Sequence, residues 1–114
     1  MFDSGIVYLI RTGAIYAYAN IRGGGEGGKD WARAGRGKNK QHSFDDFIAA
    51  AEFLIQNNYT STSLLVALGY SNGGLVVATA AIQRPDLFKA VVPVVAPCDM
   101  LRFEKFTIGN FSYG

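Results

Sequence analysis

Ser71 is the residue of this chain whose neighbours best equip it for chemistry. It stands in Gly69-Tyr70-Ser71-Asn72-Gly73-Gly74, after the apolar run Leu64 to Leu68 and before the small, apolar, helix-prone run Leu75 to Ile82. That order predicts a strand, a sharp turn and a helix, with a serine at the apex. Such a nucleophile elbow holds its serine in a strained backbone conformation, and bulky flanking residues would collide with the strand or the helix. The turn lifts the hydroxyl above the sheet edge. The next backbone N–H, that of Asn72, falls at a helix N-terminus, where it can stabilise an oxyanion. Ser71 is therefore expected to be a nucleophile, Asn72 an oxyanion donor, and the chemistry acyl transfer. An ordinary glycine-rich turn between strand and helix is the plainer alternative, since G-x-S-x-G alone is a common pattern.

An activated serine needs a base, and the base needs an orienting acid. Hydrolases with this elbow present them in the chain order Ser, then Asp or Glu, then His. Here the only histidine, His42, precedes Ser71, whereas Asp86, Asp99 and Glu104 follow it. His42 sits beside Ser43 at an expected helix start and reads as a surface or capping residue. The sequence thus carries a nucleophile without its base.

The elements expected to position Ser71 follow from hydrophobic patterning. Ile6 to Ile10 and Ala14 to Ile21 read as strands separated by a turn at Thr12-Gly13. Gly23 to Gly28 is a glycine-dense loop, Asp30 to Arg36 a short helix, and Gly35 to Gln41 a polar connection. Ser43 is expected to cap a helix with Asp46 as its capping-box partner. Phe44, Phe47, Ile48, Ala51, Leu54 and Ile55 form its apolar face, and Asn57-Asn58 ends it. Leu64 to Leu68 and Ala90 to Val95 read as strands buried on both faces, as in a covered parallel sheet. The helix between them is expected to run to about Arg84 and stop at Pro85-Asp86. The order β, β, α, β, α, β with parallel crossovers points to the α/β class, a mostly parallel sheet with flanking helices.

At 114 residues the chain is expected to be one domain, residues 1–114, and its 49% hydrophobic content suits a piece of a larger core. A net charge of +2 with no basic cluster interleaved with aromatics argues against a nucleic-acid partner. The densest basic stretch, Lys29 to Lys40, is broken by glycines and reads as a solvated loop rather than a polyanion site. Cys98 is the only cysteine, so no internal disulfide and no zinc site is expected. No segment reaches membrane-spanning length and the N-terminus lacks signal-peptide charge, so the expected location is cytoplasmic, with no membrane partner. The sequons at Asn58 and Asn110 read as chance matches in that compartment. Gly23, Gly25 and Gly28 match G-x-G-x-x-G, and Gly23, Gly28, Lys29 and Asp30 nearly match a P-loop. Glu26 inside the phosphate nest, and a carboxylate at Asp30 where a hydroxyl is needed, argue against nucleotide binding. No cofactor is expected.

Several motifs together make the chain resemble the prolyl oligopeptidase family. They are Asn20-Ile21-Arg22-Gly23-Gly24-Gly25-Glu26, Trp31, Asn39-Lys40-Gln41, Phe44-Asp45-Asp46-Phe47 and Tyr59-Thr60-Ser61. Ser71-Asn72-Gly73-Gly74-Leu75, Gln83-Arg84-Pro85-Asp86-Leu87-Phe88, Asp99-Met100-Leu101 and Phe106-Thr107-Ile108-Gly109 continue in the same order. The resemblance runs from about Arg11 onward and is closer to the prolyl endopeptidase branch than to oligopeptidase B or the dipeptidyl peptidases. It implies an α/β-hydrolase catalytic domain of a cytosolic serine peptidase that cleaves short peptides after proline. It also implies a β-propeller upstream, and no metal or cofactor. By the same resemblance Ser71 matches the nucleophile and Asn72 the residue whose backbone N–H forms half of the oxyanion hole. The other half, a tyrosine hydroxyl, is placed upstream of this chain's start. The triad acid and base and a substrate-gripping arginine are placed downstream of Gly114.

The chain departs from the family pattern at four places. Tyr70 stands where glycine is usual before the serine, Gly27 where tyrosine is usual, and Pro97 near a valine of the proline pocket. Asn110-Phe111-Ser112-Tyr113 replaces the region of a substrate-stacking tryptophan. Losing the base costs on the order of a million-fold in turnover. Losing half the oxyanion hole costs roughly a hundredfold more. The 114 residues alone are thus expected to be inactive. Two other readings stand beside the peptidase: a truncated, non-catalytic pseudoenzyme or interaction fragment, and an esterase or lipase that shares the elbow but leaves the Arg22 to Glu26 loop unexplained.

Overall fold

A polypeptide that turns sharply from strand to helix brings two backbones into contact, and small residues decide where that is tolerated. The computed structural model describes residues 4–94. In chain order they form α1 (Ser4–Arg11), α2 (Gly28–Arg33), a 3-10 turn (Gly37–Asn39), α3 (Lys40–Gln56), β1 (Val66–Tyr70), α4 (Asn72–Gln83) and β2 (Ala90–Val94). Strands β1 and β2 pair in parallel, with Val66 opposite Ala90, Leu68 opposite Val92 and Tyr70 opposite Val94. Helix α4 is the crossover between them and packs on both, while α3 packs on α4. The expected β-α-β unit around Ser71 is therefore present, and so is the parallel sheet.

The core between these layers is built of small side chains. Ala67 of β1, Val76, Val77 and Ala80 of α4, Ala51 of α3 and Leu87 are buried. Short side chains let α4 lie close to the sheet on one side and to α3 on the other. Phe47 of α3 stacks on Phe88, ring centroids 6.0 Å apart, and closes the end of that layer. Arg84 leaves α4 outside the helical region, with φ −137° and ψ 70°, and the residue before a proline is biased away from helix. Its guanidinium reaches Glu52 of α3 at 2.8 Å and Asp86 at 2.9 Å.

The first half of the chain is tied to α3 by a clasp. Arg22 meets Asp46 side on, Nε to Oδ2 at 2.9 Å and Nη2 to Oδ1 at 2.8 Å, and the Arg22 backbone N–H also donates to Oδ2. Asp46 is held below the usual carboxylate range by these charge-assisted hydrogen bonds. Ser43 is buried and its hydroxyl bonds the carbonyls of Arg22 and, at 3.0 Å, of Gly35. A Cβ at Gly35 would fall on the Arg22 carbonyl, so glycine is what lets the two loops cross there.

Several expectations change on this structure. The predicted strand at Ile6 to Ile10 lies in helix α1, and Ala14 to Ile21 has no ladder. A strand needs a partner for its N–H and C=O groups. With no neighbour among the described residues, the segment at α1 satisfies them internally instead. Ser43 does not cap a helix. Helix α3 starts at Lys40, and Asp46 serves Arg22 rather than a capping box. The short helix is Gly28–Arg33, not Asp30 to Arg36. Among the described residues the strands are covered on one face only: Val66, Leu68 and Tyr70 are 53%, 39% and 57% exposed while Ala67 is buried. Expectations that concern Pro97, Cys98, Asp99, the Phe106 motif and Phe111 fall outside the described residues.

Two tests follow. Gly69→Ala places a methyl group against the Gly73 carbonyl and is expected to lower stability by about 1–3 kcal/mol in chemical denaturation. The clasp gives a pH signature. A native Asp46 titrating below its unfolded value contributes stability that is complete above the unfolded pKa and is lost as pH falls through the native one. Asp46→Asn is expected to be less stable than the native sequence near pH 6, with the difference shrinking on acidification, as followed by denaturation at each pH.

Candidate active site

Ser71 sits between the end of β1 and the start of α4 with φ 52° and ψ −118°. A non-glycine residue in that region carries local strain, and the surroundings show what holds it. The Ser71 N–H donates to the Val94 carbonyl at 2.8 Å, continuing the β1–β2 ladder one step past the strand. Its own carbonyl accepts from Leu75 N at 3.2 Å, the first hydrogen bond of α4. Ser71 is thus pinned on one side to the sheet and on the other to the helix. It cannot relax without breaking one of these.

Gly69 makes the turn possible. It is buried, and a Cβ there would fall on the Gly73 carbonyl and close to the Gly74 nitrogen. A Cβ at Gly73 would meet nothing within 4 Å, so the steric demand expected of both elbow glycines falls on Gly69 and not on Gly73. Tyr70 points away from this contact and is exposed, so an aromatic side chain before the serine is accommodated.

The apex faces solvent. Ser71 and Asn72 are both exposed, and the Ser71 hydroxyl makes no capping bond to the helix. The N–H groups of Asn72, Gly73 and Gly74 begin α4 and have no intrahelical acceptor. They lie at the positive end of a 12-residue helix. An exposed hydroxyl beside helix N-terminal N–H groups can supply two of the parts of acyl transfer, an attacking oxygen and donors for the charge that develops on the carbonyl.

The structure brings one further residue to the site. Lys40, the first residue of α3, donates from Nζ to Asn72 Oδ1 at 3.1 Å. Its ammonium lies 5.9 Å from the Phe44 ring centroid. Burial, reinforced by the positive charge of Arg36, pushes the Lys40 ammonium below the usual lysine range. In the sequence Lys40 lies in a polar connection, and only its membership of the Asn39-Lys40-Gln41 motif marks it. His42, by contrast, is occupied elsewhere: its Nδ1 meets the Ala34 carbonyl at 2.7 Å. A carbonyl only accepts, so Nδ1 carries the proton. His42 is half-buried within α3 and caps no helix, so it takes neither the surface nor the capping place expected from the sequence.

The glycine loop is built as a crossing. Gly23 and Gly28 both take positive φ, 105° and 87°, and Gly23 N donates to the Trp31 carbonyl at 2.9 Å. Gly27 faces the Trp31 ring so closely that a Cβ would collide with it.

The fold agrees with what is found among known proteins. The sequence profile of the prolyl oligopeptidase family matches residues 1–113. The chain is 55% identical over 105 residues to a prolyl endopeptidase of Dictyostelium discoideum, covering 92% of this chain and 14% of that protein. It is 51% identical over 108 residues to a prolyl endopeptidase of Elizabethkingia miricola, covering 92% of this chain and 15% of that one. Among solved structures, one from a structural and mechanistic study of two prolyl endopeptidases matches with a TM-score of 0.88 at 50% identity. It covers 91% of this chain and 15% of its own. Prolyl oligopeptidase B from Galerina marginata, bound to a 25mer macrocyclization substrate, matches with a TM-score of 0.72 at 46% identity. It covers 76% of this chain and 12% of its own. The β1-α4-β2 unit is thus part of an α/β-hydrolase fold. The chain belongs to the prolyl oligopeptidase family. It spans about one seventh of the length of the prolyl endopeptidases it matches.

The strain at Ser71 is measurable. Ser71→Gly and Ser71→Ala both remove the hydroxyl, but only glycine relieves the positive φ. Ser71→Gly is expected to exceed Ser71→Ala in stability by about 1 kcal/mol in denaturant titrations.

Proposed function

We propose that this chain carries the nucleophile of a serine peptidase that hydrolyses short peptides on the carboxyl side of proline. The observation that carries the reading is the positive-φ serine at the β1–α4 apex, exposed beside helix N-terminal N–H groups, in a chain of the prolyl oligopeptidase family. In this reading Ser71 Oγ attacks the carbonyl carbon of a peptide bond and gives its proton to a base. The Asn72 N–H donates to the oxygen that becomes negative. Collapse of that adduct breaks the C–N bond, and the departing amine takes the proton from the base. Water then repeats the attack on the acyl-enzyme and frees Ser71. In this reading the base and its orienting acid come from parts of the protein beyond these 114 residues, as the family resemblance implies; among the described residues the only histidine, His42, bonds the Ala34 carbonyl and no hydrogen bond joins it to Ser71. A short proline-containing peptide as substrate and a cytosolic site of action belong to the same proposal and rest on the family resemblance.

The test uses the full-length protein. A fluorophosphonate probe is expected to label Ser71, located by mass mapping of the digested protein. Hydrolysis of a fluorogenic peptide after proline is expected to fall on the order of a million-fold in Ser71→Ala. Cleavage that survives Ser71→Ala, or hydrolysis of esters with none of peptides, would overturn the reading.

A further inference from the structure

We propose that Lys40 is a positioning residue for the oxyanion turn: through its hydrogen bond to the Asn72 side chain, it holds the Asn72 backbone N–H toward the developing acyl oxygen. The inference rests on the proposed peptidase reading of Ser71 and adds a residue that the elbow motif does not contain.

The first turn of α4 is poorly anchored by its own sequence. It reads Asn72-Gly73-Gly74, and the residue before it, Ser71, makes no side-chain cap. Two glycines in succession leave the backbone with more conformations than any other pair would. They also leave one side chain, that of Asn72, by which the turn can be gripped. Its Oδ1 accepts from Lys40 Nζ at 3.1 Å. Lys40 in turn opens a helix of 17 residues whose placement is set by the Arg22–Asp46 clasp and by packing on α4. The hydrogen bond therefore connects the loosest backbone at the site to a rigid element.

The charge of Lys40 points the same way. It stands at the N-terminal ends of two helices, α3 and α4, where the helix dipoles disfavour a cation. Arg36 adds a second positive charge, and among the described residues Lys40 has no carboxylate partner. Half-buried and crowded by like charge, the ammonium is unfavourable in the resting site. An oxyanion at the Asn72 N–H is the charge that would relieve it. Interactions that strengthen only when the reaction creates charge accelerate the chemical step without tightening substrate binding.

The test is a set of variants in the full-length protein. Lys40→Met keeps the stem against Phe44 and removes the donor and the charge, whereas Lys40→Arg keeps both. Lys40→Met is expected to lower kcat by about tenfold with KM within about twofold, since an indirect contribution should be smaller than loss of an oxyanion donor itself. Lys40→Arg is expected to recover most of the rate. A peptide aldehyde ending in prolinal, which forms a tetrahedral adduct on serine, is expected to lose affinity by the same factor. The matching peptide alcohol, which forms none, should bind unchanged. In an Asn72→Ala background, which retains the backbone N–H, Lys40→Met is expected to have no further effect. Unchanged kcat in Lys40→Met, equal weakening of aldehyde and alcohol, or full additivity with Asn72→Ala each overturns the role of Lys40. Failure of the native protein to react with fluorophosphonate at Ser71 overturns the peptidase reading itself. Labelling at Ser71 with an unaffected Lys40→Met overturns this inference alone.

Discussion

The close passage of Gly69 beneath Gly73 and Gly74 is the constraint on which the site depends. Where β1 passes under the first turn of α4 there is no room for a side chain, so the strand must turn within one residue. That residue, Ser71, is forced to positive φ, and its hydroxyl is left at the apex without a capping bond to the helix. The sheet takes hold of its N–H through Val94, and the helix takes hold of its carbonyl through Leu75. Strain at one residue is thus maintained by hydrogen bonds on both sides, as expected where a structure over-determines a sparsely populated conformation.

The rest of the described chain supports that apex from behind. Small side chains bring α4 onto the sheet, and α3 packs on α4 from the other side. The Arg22–Asp46 pair and the buried Ser43 hydroxyl tie the glycine loop to α3. Lys40, at the start of the same helix, reaches Asn72. Helix α3 therefore joins the glycine loop to the turn that bears the serine. The other face of the sheet, with Val66, Leu68 and Tyr70, is left uncovered by the described residues.

The elbow was legible because its geometry is local. A glycine that only a tight crossing needs, a serine at an apex and a run of small apolar residues after it all lie within a few positions of each other. Helix α4 and its stop before Pro85 were legible for the same reason, as proline restricts the residue before it. The strands at Ile6 to Ile10 and Ala14 to Ile21 were misread because β-branched and aromatic composition describes a residue's fit to a sheet, not the presence of one. Ser43 and Asp46 have the spacing of a capping box, yet both are drawn to partners more than twenty residues away in sequence. A short-range pattern cannot register such competition.

What the sequence determined by itself is the identity of the chemistry-bearing segment: the nucleophile candidate Ser71, its neighbour Asn72, the parallel β-α-β unit around them and the family motifs. These depend on residues adjacent in the chain and on backbone sterics that allow few alternatives. Only the tertiary structure decided that Gly69 rather than Gly73 permits the strained serine, that Arg22 closes on Asp46, and that Lys40 arrives at Asn72. Each of those depends on two segments meeting in space. The chain reveals such a meeting only when packing has chosen which of many possible partners a charged or polar group will take.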